Sequence, residues 1–410
     1  MTNEKVMQIF RDTAYVHTGG SDAELKAANY LKDCCAELGL EAHLETFEVQ
    51  MATMKTAKLI ADGVEIECKG YLNCGCHEVE APFMYMPSND KVSMSQVKGK
   101  IVMLDTGMGA WTYKDLCENG AAGFITYDGN ANYVDWDIDQ KELRSFVRAD
   151  NPKLPGVNIN AKNAIQLVNK DTKTVKIMID QDEYVGESRN VVFDMPGEIP
   201  ETIVFTAHYD TTSLSQGAYD NMSGSIGLLG IAEYFLTHPH RYSLRFIFCG
   251  SEERGLLGSK AYVAAHEEEL KDIAMCINLD MIGSIMGRFI ACCTSENELV
   301  GYTAYLGHEK GFQVAPYQDV YSSDSTPFAD KGIPAISFAR AAGGAVATIH
   351  NSYDTMALMK AEHMLGDIDF ICAFSDRMAN AVRCPVSREI PENMKEKLDI
   401  YLTRKRAPKK

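Results

Sequence analysis

Between Thr202 and Glu253 three apolar runs each adjoin residues that bind cations, and few folds can use such a pattern. The first run ends in His208 with Asp210 just beyond it, the second is opened by Asp220, and the third ends in Glu252 and Glu253. Residues 202–207 and 244–249 are short and rich in β-branched or aromatic side chains, which predicts buried strands, whereas residues 222–235 have the length and period of a helix. Strand, helix and strand in succession predict an α/β fold with an open sheet. In such sheets ligands bind beyond the carboxyl ends of the strands, which is where these His, Asp and Glu residues fall.

Two further strand-like runs extend the set. Residues 275–279 deliver Asp280 at their carboxyl end, and after residues 334–339 a loop brings His350. Singly, each such Asp reads as a helix cap and each His as an ordinary side chain. Together His208, Asp220, Glu253, Asp280 and His350, with Glu252 beside them, read as a metal site. Two imidazoles among carboxylates suit zinc or a pair of borderline ions better than calcium or magnesium, which favour oxygen ligands. Five ligands exceed what one catalytic zinc with an open position takes. They suffice for two ions roughly 3.5 to 4 Å apart that share a carboxylate.

The motifs HYD, GAYDNMSG, SEERGLLGS, NLDMIG and HNSYDT follow one another from His208 to Thr355. In kind and order they resemble the M28 family of di-zinc peptidases, whose best-known members are aminopeptidases. The resemblance implies a mixed open sheet flanked by helices, a three-layer zinc-exopeptidase-like sandwich, acting on peptides with a free N-terminus. It implies that His208 and Asp280 hold one Zn2+ and Glu253 and His350 the other, with Asp220 bridging. Glu252 is then the general base and Asp210 orients His208; Co2+ or Mn2+ would also suit the ligands. Tyr321 is the expected helper of the oxyanion. Two other readings use the same motifs: a one-zinc acyltransferase like the glutaminyl cyclases, and a non-catalytic binding protein on a peptidase scaffold. In SSDSTPFADKGIPA, Ser325 stands where the family commonly has His, which touches the substrate pocket rather than the metals. Asp354, in HNSYDT, is expected to cap residues 356–364.

Residues 55–184 differ in texture, with short strands and turns and little helical period. VKGKIVMLDTG, KDLCENGAAGFITYDG and LPGVNIN are similar to the protease-associated (PA) domain, a mainly β module that many M28 peptidases carry as an insertion. The resemblance implies a binding cover, or else a spacer with no substrate contact, inserted in a discontinuous catalytic domain formed by residues 1–54 and 185–410. In the insertion, strands are expected at 101–104 and 123–127 around a helix at 113–119. In the catalytic part, Ser21 and Glu24 have the spacing of a capping box for a helix whose apolar stripe includes Leu25, Ala28, Leu31, Cys35 and Leu38, and Gly39 ends it. Gly224, Gly227 and Gly230 imply that the helix at 222–235 packs closely on the sheet.

A net charge of -17 argues against nucleic-acid or anionic-membrane partners, and the basic end RKRAPKK reads as a solvated tail. No run approaches the roughly 20 apolar residues of a membrane span, and the first residues hold no signal-like apolar segment. The expectation is a cytoplasmic protein; oligomeric state is left open. The twelve cysteines, with adjacent pairs Cys34-Cys35 and Cys292-Cys293, fit buried reduced thiols better than disulfides. Cys68, Cys74, Cys76 and His77 lack paired C-x2-C hooks, so no structural zinc is expected there.

Overall fold

A computed structural model of the chain describes residues 1–105, 107–132, 136–343 and 347–407. They divide into two compact units, Met1–Glu48 with Glu187–Lys410, and Val49–Gly186.

The first unit opens with helices α1 (Asn3–Asp12) and α2 (Asp22–Glu37). Strand β1 (Thr174–Met195) enters it, and β2 (Ile199–His208), helix α3 (Ser223–Phe235), β3 (Tyr242–Cys249), α4 (Leu257–Ala265) and β4 (Ile273–Leu279) follow. The chain continues through β5 (Arg288–Thr294), α5 (Glu298–Lys310), β6 (Ala315–Gln318), β7 (Ala335–Ala341) and α6 (Ala361–Ala379). The sheet order is β6-β5-β7-β4-β2-β3-β1. Its centre, β7-β4-β2-β3, is parallel, while β5 and β1 run antiparallel to their inner neighbours. The result is the mixed open sheet with helices that the sequence predicts, and its four parallel strands lie at the four apolar runs read from it.

Parallel strands covered on both faces need near-continuous apolar sequence, and β2 to β4 supply it. Phe193 on β1, Phe246 on β3 and Phe205 on β2 stack across the sheet with centroids 4.7 Å apart at each step. Helix α3 packs on the sheet through its glycines: a Cβ on Gly224 would fall 2.3 Å from the Leu279 carbonyl oxygen, and one on Gly227 would fall 2.4 Å from Leu279 Cδ2. That contact holds the start of α3 against the end of β4. Helix α2 keeps Ala28, Leu31 and Cys35 of its expected face and departs from it at Leu25. Leu25 is exposed, and the buried side is formed by Glu24, Ala27, Ala28, Leu31, Cys34 and Cys35.

In the second unit the second half of the strand His77–Met86, then Ile101–Leu104, Gly123–Asp128 and Gly156–Asn160, run parallel. They bury their own core, including Val102, Leu104, Tyr113, Phe124, Ile125 and Val157. The expected helix begins at Ala110 (Ala110–Glu118), and a second, Ala161–Asn169, is capped by Asn160. That helix is hard to read in sequence because its cap is also the last strand residue. Cys74, Cys76 and His77 engage backbone and side-chain groups of their own unit, and no metal-ligand cluster forms there among the described residues.

All twelve cysteines are free. Among the described residues no helix is long and apolar enough to cross a membrane. In the basic tail Arg404 pairs with Asp330 and Asp399, and Lys405 with Glu396; residues 408–410 lie outside the described residues.

Candidate metal centre

The parallel strands end side by side, so residues far apart in sequence meet. His208 closes β2, Glu252 and Glu253 follow β3, and Asp280 follows β4. Asp220 lies just before α3, in a segment whose Asp220 and Asn221 leave helical geometry (φ -116° and -145°). His350 arrives from the loop after β7 with a φ of +62°. Ser251, Leu256 and Met281, on the neighbouring loops, are also non-glycine residues at positive φ. Such conformations are held only where surrounding structure fixes them, and they gather at functional sites.

The donor atoms form two groups. His208, Asp220 and Asp280 present ligand atoms within 4.8 Å of one another, and so do Asp220, Glu253 and His350. Asp220 belongs to both. Its Oδ1 is 3.1 Å from His208 Nε2 and its Oδ2 is 3.1 Å from His350 Nε2. His350 Nε2 is also 3.1 Å from Glu253 Oε1, and His208 Nε2 is 3.8 Å from Asp280 Oδ1. His208, Asp220, Glu253 and Asp280 are buried, whereas 46% of the His350 side chain is exposed, so the cluster reaches solvent at that residue.

The donor set fits a cation. Asp280 Oδ1 is buried with no hydrogen-bond partner, an expensive state for a carboxylate oxygen unless positive charge stands beside it. Burial lowers the affinity of His208 for a proton, yet the Glu252 charge and the carboxylates of Asp210, Asp220 and Asp280 around it raise its pKa well above the ordinary value. Burial acts the same way on His350, and Glu253 and Asp220 push its pKa up to about 11. Burial drives the carboxyl of Glu252 well above its usual range, with the charges of Glu253, Asp324 and Asp280 adding to it against His208. Surplus negative charge in a dry place calls for cations, and imidazole with carboxylate suits zinc.

Asp210 links two strand ends. Its carboxylate accepts the backbone N–H of Glu252 at 2.8 Å and of Glu253 at 3.2 Å, while His208 Nδ1 lies 3.6 Å from it and 3.3 Å from its carbonyl oxygen. The 3.6 Å approach is longer than a hydrogen bond. Tyr321 is half-buried, and burial, followed by the charges of Asp280, Tyr219 and Asp220, pushes its phenol well above the ordinary value. It therefore stays a neutral donor beside the cluster.

Residues 190–371 match the model of peptidase family M28. Over these residues the chain is similar to that family. Aminopeptidase YwaD of Bacillus subtilis is 29% identical to it over 257 residues, 60% of this chain and 54% of that protein. A probable leucine aminopeptidase 2 of Aspergillus oryzae is 26% identical over 217 residues, 52% of this chain and 41% of its own. The chain thus spans about half the length of the relatives it matches in sequence. Among solved structures, BSAP, a zinc aminopeptidase from Bacillus subtilis, shares the fold with a TM-score of 0.77 at 21% identity, over 95% of this chain and 98% of that one.

Four residues of the matched segment take places that sequence reasoning did not find. Asp354 does not cap the segment after it: Thr355 caps the short turn Met356–Leu358, and α6 starts only at Ala361. Instead the fully buried Asp354 accepts the N–H of Tyr219 at 2.8 Å and of Asp220 at 3.1 Å, and Ser215 Oγ lies 3.2 Å away. It ties the loop of His350 to the backbone of Asp220. Asn221 donates to the Leu279 carbonyl at 2.9 Å and accepts from Met281 N at 3.0 Å, which sets Asp220 against Asp280. Ser325 turns into the fold, where its hydroxyl is 2.8 Å from that of Ser337. Its neighbour Asp324 is fully buried with neither carboxylate oxygen hydrogen-bonded, and burial pushes its carboxyl up to about 7.

Proposed function

We propose that the chain is a two-zinc aminopeptidase. The observation that carries this reading is the division of one carboxylate: Asp220 offers one oxygen to His208 and the other to His350, so two complete donor groups share it. His208 and Asp280 would hold one ion, Glu253 and His350 the second, and Asp220 both. Bound zinc supplies Lewis acidity, which makes water available as a nucleophile near neutral pH.

The protein's own groups do the rest. Glu252 stands among the ligands with a carboxyl whose proton affinity burial has raised, which suits a base that takes a proton from water and returns it to the leaving amine. Asp210 fixes the backbone on which Glu252 and Glu253 sit. The neutral phenol of Tyr321 donates to the oxygen on which charge develops. The free amine of a peptide N-terminus would make charge-assisted hydrogen bonds to carboxylate oxygens at the site. The Asp220, Glu253 and His350 group favours this reading over a one-zinc acyltransferase, and Glu252, within reach of the charges of His208, Glu253 and Asp280, favours it over a binding protein without catalysis.

Aminoacyl p-nitroanilides provide the test. The purified chain should hydrolyse them, lose the activity on exhaustive chelation and regain it when zinc is restored. Hydrolysis that persists once metal has been stripped, or none at all from a chain fully loaded with zinc, would reject the proposal.

A further inference from the structure

Glu24 is a buried carboxylate outside the metal cluster, and no step above uses it. Its side chain on α2 is 0% exposed. A capping-box glutamate would reach back to the N–H of Ser21, the N-cap. Glu24 accepts instead from Gly20 N, at 2.8 Å through Oε2. Its Oε1 accepts from Ser188 Oγ at 2.7 Å and lies 3.4 Å from Ser251 Oγ, which in turn donates to Ser188 Oγ at 2.8 Å. Arg189 Nη1 lies 3.7 Å from Glu24, buried and without a hydrogen-bond partner.

This network lies directly beneath the loop that follows β3. A Cβ on Gly250 would fall 2.7 Å from Glu24 Oε1 and 2.4 Å from the Arg189 carbonyl oxygen, so the loop backbone rests on the carboxylate. From the other side a Cβ on Gly19 would fall 2.2 Å from Ser251 Oγ. Ser251 itself is fully buried with φ +54°, a conformation that favours glycine and that a serine keeps only when held. The next two residues are Glu252 and Glu253.

We propose that Glu24 is the positioning residue of this loop: with Ser188 it holds Ser251 in the left-handed conformation that aims Glu252 and Glu253 into the metal cluster. The catalytic part of the inference rests on the role proposed for Glu252; the part concerning Glu253 rests only on metal binding. A serine that leaves positive φ rotates the peptides that follow it, and a displacement of about 1 Å at a catalytic group costs roughly 100-fold in rate.

The test is a double-mutant cycle between Glu24→Ala and Ser251→Gly, read by kcat, KM and zinc affinity, with circular dichroism to confirm the fold. Glu24→Ala should lower kcat about 100-fold with little change in KM, and weaken zinc about tenfold or more. Glycine adopts positive φ without help, so in the Ser251→Gly background the loss from removing Glu24 should shrink by about tenfold. Equal losses in both backgrounds overturn the proposal, because a residue that only fills space does not care which residue stands at 251. If Glu24→Ala does not fold, the same cycle is run with Glu24→Gln, which keeps the volume. If the parent protein hydrolyses no aminoacyl substrate, the aminopeptidase reading fails, and the cycle in zinc affinity still decides the assignment of Glu24.

Discussion

Glu252→Gln is expected to lose about 10² to 10⁴ of its turnover while keeping its metal and its fold, the range attributed to a positioned general base. Glutamine matches glutamate in shape and cannot accept the proton. The bond that places the residue is made by its backbone, from Glu252 N to Asp210 Oδ1, and survives the change. Stability should not suffer, since glutamine keeps the volume of the side chain and the backbone bond to Asp210. Steady-state kinetics on an aminoacyl p-nitroanilide, with metal content and melting temperature of the same sample, check all three points. Activity within about tenfold of the parent would remove Glu252 from the role of base.

N-acetylation of the substrate is expected to have an equally large effect. A free amine makes charge-assisted hydrogen bonds to carboxylates, whereas an acetylated one cannot, and the buried carboxylates then face an amide with no partner. Sites built to pair a polar group reject analogues lacking it by roughly 10⁴. One peptide compared with its N-acetyl form should therefore differ in kcat/KM by about that factor. Comparable values for the two would point to an endopeptidase or an N-acyl amidase on the same ligands.

The metal ligands are legible in the sequence because the fold makes them so. Each of His208, Glu253 and Asp280 follows an apolar run that a parallel strand requires, and parallel strands bring their ends together. Side chains that act across the fold are not legible in this way. Glu24 has the spacing of a capping box, and Asp354 precedes a short helical segment, so local rules assign both to helix ends. Their bonds go to Ser188 and Gly20 in one case and to Tyr219 and Asp220 in the other. No motif or strand end marks a partner such as Ser188, 164 residues from Glu24. Leu25 fails for a related reason. On α2 the buried side turns toward Glu24, because the fold buries that carboxylate to build the network under Ser251. Hydrophobic periodicity alone would never place an acid on the inner face.

The division of Asp220 between His208 and His350 makes metal stoichiometry the most direct measurement. Elemental analysis of the zinc-loaded protein after removal of free metal should find about two ions per chain, and Asp220→Ala should lose metal and stability together, since both ions share that carboxylate. One ion per chain in the parent, or full occupancy of both sites in Asp220→Ala, would contradict the two-metal account.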